Sequence, residues 1–186
     1  MSIIPGWLSD LFSPAMPPPP LPLAPVVADP SPVPGCDDAT WASYEALLKL
    51  REGVRYTVYR DSLGNVTGGI GHLLLPSDGL EVGAAIPDAT VQRWFTHDGA
   101  TAMDKAVSLA KVAGITQQAF LPYLASVCYQ LGVAWTSKFP NTWLMICKGQ
   151  YAQASEALID TPWAQQTPVR VADFRGALLR LPAKTV

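Results

Sequence analysis

Two carboxylates and a hydroxyl stand out by their spacing. Glu52, Asp61 and Thr67 fall within the run LREGVRYTVYRDSLGNVTGGIGH, with eight residues between the first pair and five between the second. Hydrolysing a glycosidic bond needs a proton for the leaving oxygen and, across the bond, either a base for water or a nucleophile, tasks given to two carboxyl groups. Glu52 and Asp61 can fill both posts, with Thr67 as a hydroxyl beside them. Two acids nine positions apart are common by chance, so the elements that carry them must decide.

Asp37, Asp38 and Thr40 are N-cap candidates for a helix whose apolar residues Trp41, Tyr44, Leu47, Leu48 and Leu50 recur at three and four and which ends before Gly53. Glu52 is then its last side chain, where the negative end of the helix dipole disfavours ionisation and suits a general acid. Val54 to Arg60 alternates, with Val54, Tyr56 and Val58 on one face; residues 61–65 turn the chain and Val66 to Ile70 returns, a hairpin with Asp61 near its bend. Gly68, Gly69 and Gly71 on the returning strand fit either a bulge or a surface where a bulky ligand must touch backbone. The rest reads helical: a long segment from Asp88 through Leu109 that Gly99 either bends or divides, another from Thr116 or Pro122 to near Gly132, and further helices near 141–148, 150–160 and 168–181. A lone hairpin is marginal by itself, so this one must pack on helices. The fold class expected is α+β, a small hairpin sheet and a larger helical lobe with a cleft between them.

Composition narrows the classes. Of the 18 prolines, ten lie between Pro14 and Pro34, which excludes a helix or central strand there. Residues 1–35 therefore read as a proline-rich, flexible tail and 36–186 as the folded domain. Net charge is −2, and the tail holds Asp10 and Asp29 with no Lys or Arg, so the domain is neutral and no nucleic-acid footprint is expected. Cys36, Cys128 and Cys147 leave one thiol unpaired and show no metal or redox spacing. Cys128 and Cys147 read as buried, Cys36 as exposed at the tail's edge. With only His72 and His97 available, neither metal nor cofactor is expected.

In the tail, Ile4, Leu8, Leu11 and Phe12 share a helical face beside Trp7, too short to span a bilayer and lacking the basic start of a secretory signal. Held out on a polyproline spacer, it suits docking to a virion protein or a membrane surface; the alternative is a segment folded back on the domain.

The active stretch closely resembles the T-even-type phage lysozymes, a family with a Glu, Asp, Thr triad. The resemblance rests on REG at Arg51–Gly53, YRD at Tyr59–Asp61 and TGGIGHLL at Thr67–Leu74. It continues through WFTHD at Trp94–Asp98, VCYQLG at Val127–Gly132, FPNT at Phe139–Thr142 and WAQQTPVR at Trp163–Arg170. It covers about 37–181 and leaves the tail outside. What it implies is a lysozyme-like fold and a muramidase that hydrolyses the β-1,4 bond between N-acetylmuramic acid and N-acetylglucosamine in bacterial peptidoglycan, in phage lysis or cell-wall penetration.

Carried onto matching positions, the resemblance implies Glu52 as general acid, Asp61 as holder of the attacking water or stabiliser of oxocarbenium charge, and Thr67 as orienter of that water. Family behaviour implies inversion, which needs the carboxyls about 6.5–9.5 Å apart. His72 is implied to pair structurally with Asp98 rather than to act as a catalytic imidazole, and Arg170 to lie beside Glu52. Leu73, Tyr129, Gln130, Asn141 and Thr142 are implied sugar contacts, though each also fits a core or capping role, while Trp135, Trp143 and Trp163 read as core. The domain is expected to act as a monomer on peptidoglycan, in the virion or in the host cytoplasm before release to the periplasm. Relatives are often strongly basic and this domain is neutral, so electrostatic capture by the anionic wall is weaker and a docking tail would offset it. Two other readings stay open: a wall-binding or structural virion protein without turnover, and a lytic transglycosylase, which needs an acid but captures no water.

Overall fold

Asp37 caps the first helix as its side chain accepts from the Thr40 N–H at 2.7 Å, and α1 runs Asp38–Glu52. Trp41, Tyr44 and Leu48 are buried along one stripe, each contributing roughly 1.5–3 kcal/mol by leaving water. Gly53 ends the helix at φ 71°, its N–H closing onto the Lys49 carbonyl. Leu50, expected on the apolar stripe, is instead 69% exposed, because a stripe fed by a 3.6-residue turn leaves it past the edge of the core.

The computed structural model describes residues 31–61 and 64–184. The apolar peptide and most of the proline run lie outside the described residues. Residues 31–35 do not behave as a spacer: Val33 is buried, and Gln118 donates to the Gly35 carbonyl at 2.9 Å. The packed body therefore takes in residues expected in the tail, and Cys36, expected to be exposed, is buried with them.

The expected hairpin is there, as β1 (Arg55–Arg60) and β2 (Val66–Gly69), paired antiparallel with an irregular register between Arg55 and Tyr59. That irregularity turns Tyr56 outward, 51% exposed, while Val58 goes into the core. A third strand missed in the sequence, β3 (His72–Leu73), pairs Thr67 with Leu73 and Gly68 with His72. On the other side of β1, residues 83–86 bond back to Tyr56 and Val58, covering that edge.

Eight α-helices are present among the described residues. After α1 come α2 (Asp88–Val112), α3 (Leu121–Leu131), α4 (Trp135–Lys138), α5 (Pro140–Cys147), α6 (Tyr151–Glu156), α7 (Pro162–Gln166) and α8 (Pro168–Leu179). The α2 helix is unbroken at Gly99, whose absent Cβ makes room for the Phe95 ring, 3.0 Å from where it would stand. The short α4 and α7 were not expected, having too few residues to show a period. Trp135 and Trp163 are buried as expected, and Trp143 packs partly buried against Trp135.

The α2 helix lies along α3, and β2 packs on α2 through its glycines. A Cβ on Gly68 would stand 2.5 Å from Ile86, and one on Gly69 would stand 3.3 Å from the Trp94 ring. The space the strand glycines leave is thus filled by the protein's own side chains, Ile86 of the segment beside β1 at Gly68 and Trp94 of α2 at Gly69, rather than left for a ligand. Gly69 also sits at φ 60°. Gly69→Ala is expected to cost about 1–2 kcal/mol from left-handed strain and displacement of Trp94. Urea unfolding should read this, and an unchanged midpoint would contradict it.

Candidate active site

Glu52 ends α1 because the chain turns at Gly53, and two crossing ion pairs from α8 hold that end. Arg51 makes a bidentate pair with Asp173 at 2.6 and 2.8 Å. Next to it the Arg170 guanidinium pairs with Glu52 Oε1 through Nη2. Arg170 is buried and its Nη1 donates to Ser126 Oγ of α3 at 3.2 Å. The carboxyl of Glu52 is thereby oriented, with Oε2 on the side of Gly71, 4.0 Å from where a Cβ there would stand. Gly71 at φ 75° makes the turn before β3 and leaves that approach free of a side chain.

Asp61 follows β1 and is held by Asn65. The Asn65 backbone N–H donates to Asp61 Oδ1 at 2.8 Å and its side-chain amide to Oδ2 at 3.0 Å, while the Asp61 N–H donates to the Asn65 carbonyl. That same carbonyl accepts from Thr67 Oγ1 at 3.4 Å. One turn residue therefore ties the second carboxylate to the hydroxyl. Thr67 is buried in β2 between Tyr59 and Leu73.

His72 stacks on Trp94 with centroids 4.3 Å apart, its Nδ1 lies 2.6 Å from Asp98 Oδ2 and its Nε2 3.3 Å from Asp78 Oδ2. Both ring nitrogens are occupied by carboxylates of the protein, which makes the imidazole a clamp between sheet and α2. The Asp78 carboxyl lies below its ordinary range: burial alone would raise it, but the Leu75 N–H, His72 and Trp94 donate to it and outweigh that effect. A carboxylate depressed by folding contributes stability above its unfolded pKa, near 3.9, and that contribution is lost as pH falls through the lower folded value. Acidification below about pH 4 is expected to loosen the turn at residues 75–79 and shift Trp94 fluorescence. Asp78→Asn should flatten that part of the titration, and an identical acid transition in the variant would refute the assignment.

The five positions matched to sugar contacts separate into two groups. Leu73 is 55% exposed and Tyr129 half-buried, and both line a groove of about 700 Å³ with Gly71, His72, Trp94 and Asp98. The Tyr129 hydroxyl donates to the Ile70 carbonyl at 2.6 Å, fixing the β2–β3 turn on α3, and burial pushes its phenol pKa up. The other three do not line that groove. Gln130 accepts from Trp163 Nε1 and donates to Thr167 Oγ1, so its amide is engaged on both sides. Asn141 is exposed at the start of α5, and the neighbouring Thr142 is buried.

Asn65, Ser126 and Asp173 were missed by sequence reasoning, and Gly71, noted for its missing side chain, was not tied to Glu52. Asn65 and Gly71 had a local signal, in the sequence SLGN and the glycine ladder; Ser126 and Asp173 had none. Burial pushes the Cys128 thiol up to about 12, leaving it a packing group in the groove wall. Among the described residues no cluster of three or more His, Cys, Asp or Glu side chains is placed to hold a metal, and no helix is long and apolar enough to cross a membrane.

Comparison with known proteins adds a family. The family model described as Phage lysozyme matches residues 49–173, two thirds of the chain. The chain is 32% identical over 124 residues to "Peptidoglycan hydrolase gp36" of Pseudomonas phage phiKMV, covering 66% of this chain and 14% of that protein. It is 25% identical over 151 residues to "Probable T4-type lysozyme 2" of Dictyostelium discoideum, covering 69% and 89% respectively. It is also 26% identical over 155 residues to "Pre-baseplate central spike protein Gp5" of Enterobacteria phage T4, covering 72% and 27%. The chain thus matches a small part of the two phage proteins and nearly the whole of the amoebal one.

Proposed function

The chain belongs to the phage lysozyme family, and on that premise we propose that it hydrolyses bacterial peptidoglycan as a muramidase, cutting the β-1,4 bond between N-acetylmuramic acid and N-acetylglucosamine. The observation that carries this reading is Glu52, oriented by buried Arg170 with its second oxygen toward Gly71 at the edge of the 700 Å³ groove. A carboxyl so held can deliver a proton to a leaving glycosidic oxygen. Asp61, its oxygens fixed by Asn65, would steady the attacking water or the oxocarbenium charge, and Thr67 would orient that water. Water attacking from the face opposite the proton donor would invert the anomeric centre.

Leu73 and Tyr129 would contact the glycan in the groove. Gln130 and Thr167 would act by bracing α3 against Trp163 and α8. Residues 1–35 would dock the enzyme to a virion component or a membrane surface, a reading in keeping with the neutral domain and with the spike protein among the relatives. Virion association would place it at the cell envelope during infection.

The test is chemical. Purified protein should release reducing sugar ends from peptidoglycan with no 1,6-anhydro products by mass spectrometry. Anhydro ends would make it a transglycosylase, and wall binding with no cleavage would make it a binding protein. Deleting residues 1–30 should leave hydrolysis of isolated peptidoglycan within about twofold, because the packed body starts near Ser31, while removing copurification with virions.

A further inference from the structure

We propose that Arg93 is a specificity position of this enzyme, binding a carboxylate of the peptide carried on the muramyl sugar. The inference rests on the hydrolase reading above and names the part of the substrate that the far end of the groove takes.

The groove that begins at Gly71 beside Glu52 continues along α2. Arg93, His97 and Thr101 line it at four-residue intervals, a polar row about 12 Å long at the helical rise. Leu73, Leu75 and Val133 line the same groove and offer exposed apolar surface suited to sugar faces and acetamido methyls. The groove therefore combines polar groups with apolar surface, as a substituted glycan needs.

The charges in this groove do not cancel each other at random. Asp98 Oδ1 is engaged by His97 Nδ1 and its Oδ2 by His72 Nδ1. Asp78 accepts from Trp94 Nε1 on Oδ1 and from the Leu75 backbone N–H on Oδ2, which also faces His72 Nε2. Both carboxylates are consumed inside the protein. Arg93 is exposed, and among the described residues it makes no hydrogen bond or ion pair. What the groove offers an incoming polymer is thus an uncommitted guanidinium with a planar fork that matches a carboxylate.

Wall glycan supplies that partner. Its stem peptides are joined to every muramyl sugar and carry free carboxylates, so a chain lying with one sugar near Glu52 brings a stem into the neighbouring groove. A neutral domain has no overall field to gather such a polymer, which leaves the task to a local contact.

The experiment compares Arg93→Gln with wild type, both as the full chain, on intact peptidoglycan and on glycan strands stripped of stems by an amidase. The specificity constant for reducing-end release should fall about fivefold on intact wall, the size of an exposed ion pair, and by less than about twofold on stripped strands. Arg93→Lys should recover part of the loss, and added salt should narrow the gap between wild type and Arg93→Gln. An equal loss on both substrates, or no loss on intact wall, would overturn the proposal. Wild type that releases no ends from either substrate would instead bring down the hydrolase reading and this proposal with it.

Discussion

Glu52→Gln is expected to lower peptidoglycan hydrolysis by about 10²–10⁴-fold, the range of a positioned general acid, while leaving the circular dichroism spectrum unchanged. The amide keeps the length of the side chain and an oxygen for Arg170 Nη2, so the α1–α8 contact survives in form. What it lacks is a transferable proton. The neighbouring space is open at Gly71, so no steric effect obscures the result. Asp61→Asn sharpens the reading: its oxygens accept from Asn65, and an amide keeps only part of that turn. A hydrolase should lose activity in both variants, whereas a transglycosylase that captures no water should tolerate the second. Substantial clearing of cell wall by Glu52→Gln would end the assignment of the acid.

The second large effect is on stability, and its sign depends on which partner is removed. Arg170 is 8% exposed, while the Glu52 side chain is 26% exposed. Glu52→Ala strands a buried guanidinium that Ser126 alone cannot satisfy. Breaking a fully buried pair in this way costs about 3–5 kcal/mol, and water reaching Glu52 brings the expectation here to about 2–3 kcal/mol. Arg170→Met removes the buried charge and leaves a carboxylate that water can reach, so it should cost less. In the Arg170→Met background, Glu52→Ala should cost little further. Urea unfolding of the two single variants and the double variant closes the cycle. Additive losses would mean that the pair is not the energetic unit inferred.

Much of the architecture is written locally. Asp37, the Trp41–Tyr44–Leu48 stripe and Gly53 define α1 within 17 residues, and Asp61 to Asn65 define the turn, because capping, helical spacing and turn chemistry are near-neighbour effects. Thr167-Pro168 marks the start of α8 for the same reason. Elements that take their stability from partners far along the chain were not legible. The two-residue β3 exists because β2 lies beside it, α7 is fixed by Trp163 reaching Gln130, and Val33 and Cys36 are buried by a body that forms around them.

The candidate site divides along the same line. Residue types and spacing determined which groups could do the chemistry, since Glu52 at a helix end and Asp61 and Thr67 about a turn follow from contacts of a few residues. Only the tertiary structure decided how they are held. Arg51 and Asp173 meet 122 positions apart, Arg170 reaches Glu52 from the same helix, and Arg93 has no partner among the described residues, where other side chains claim the groove's acids. Such pairings depend on how whole helices pack, and no window of sequence contains both members.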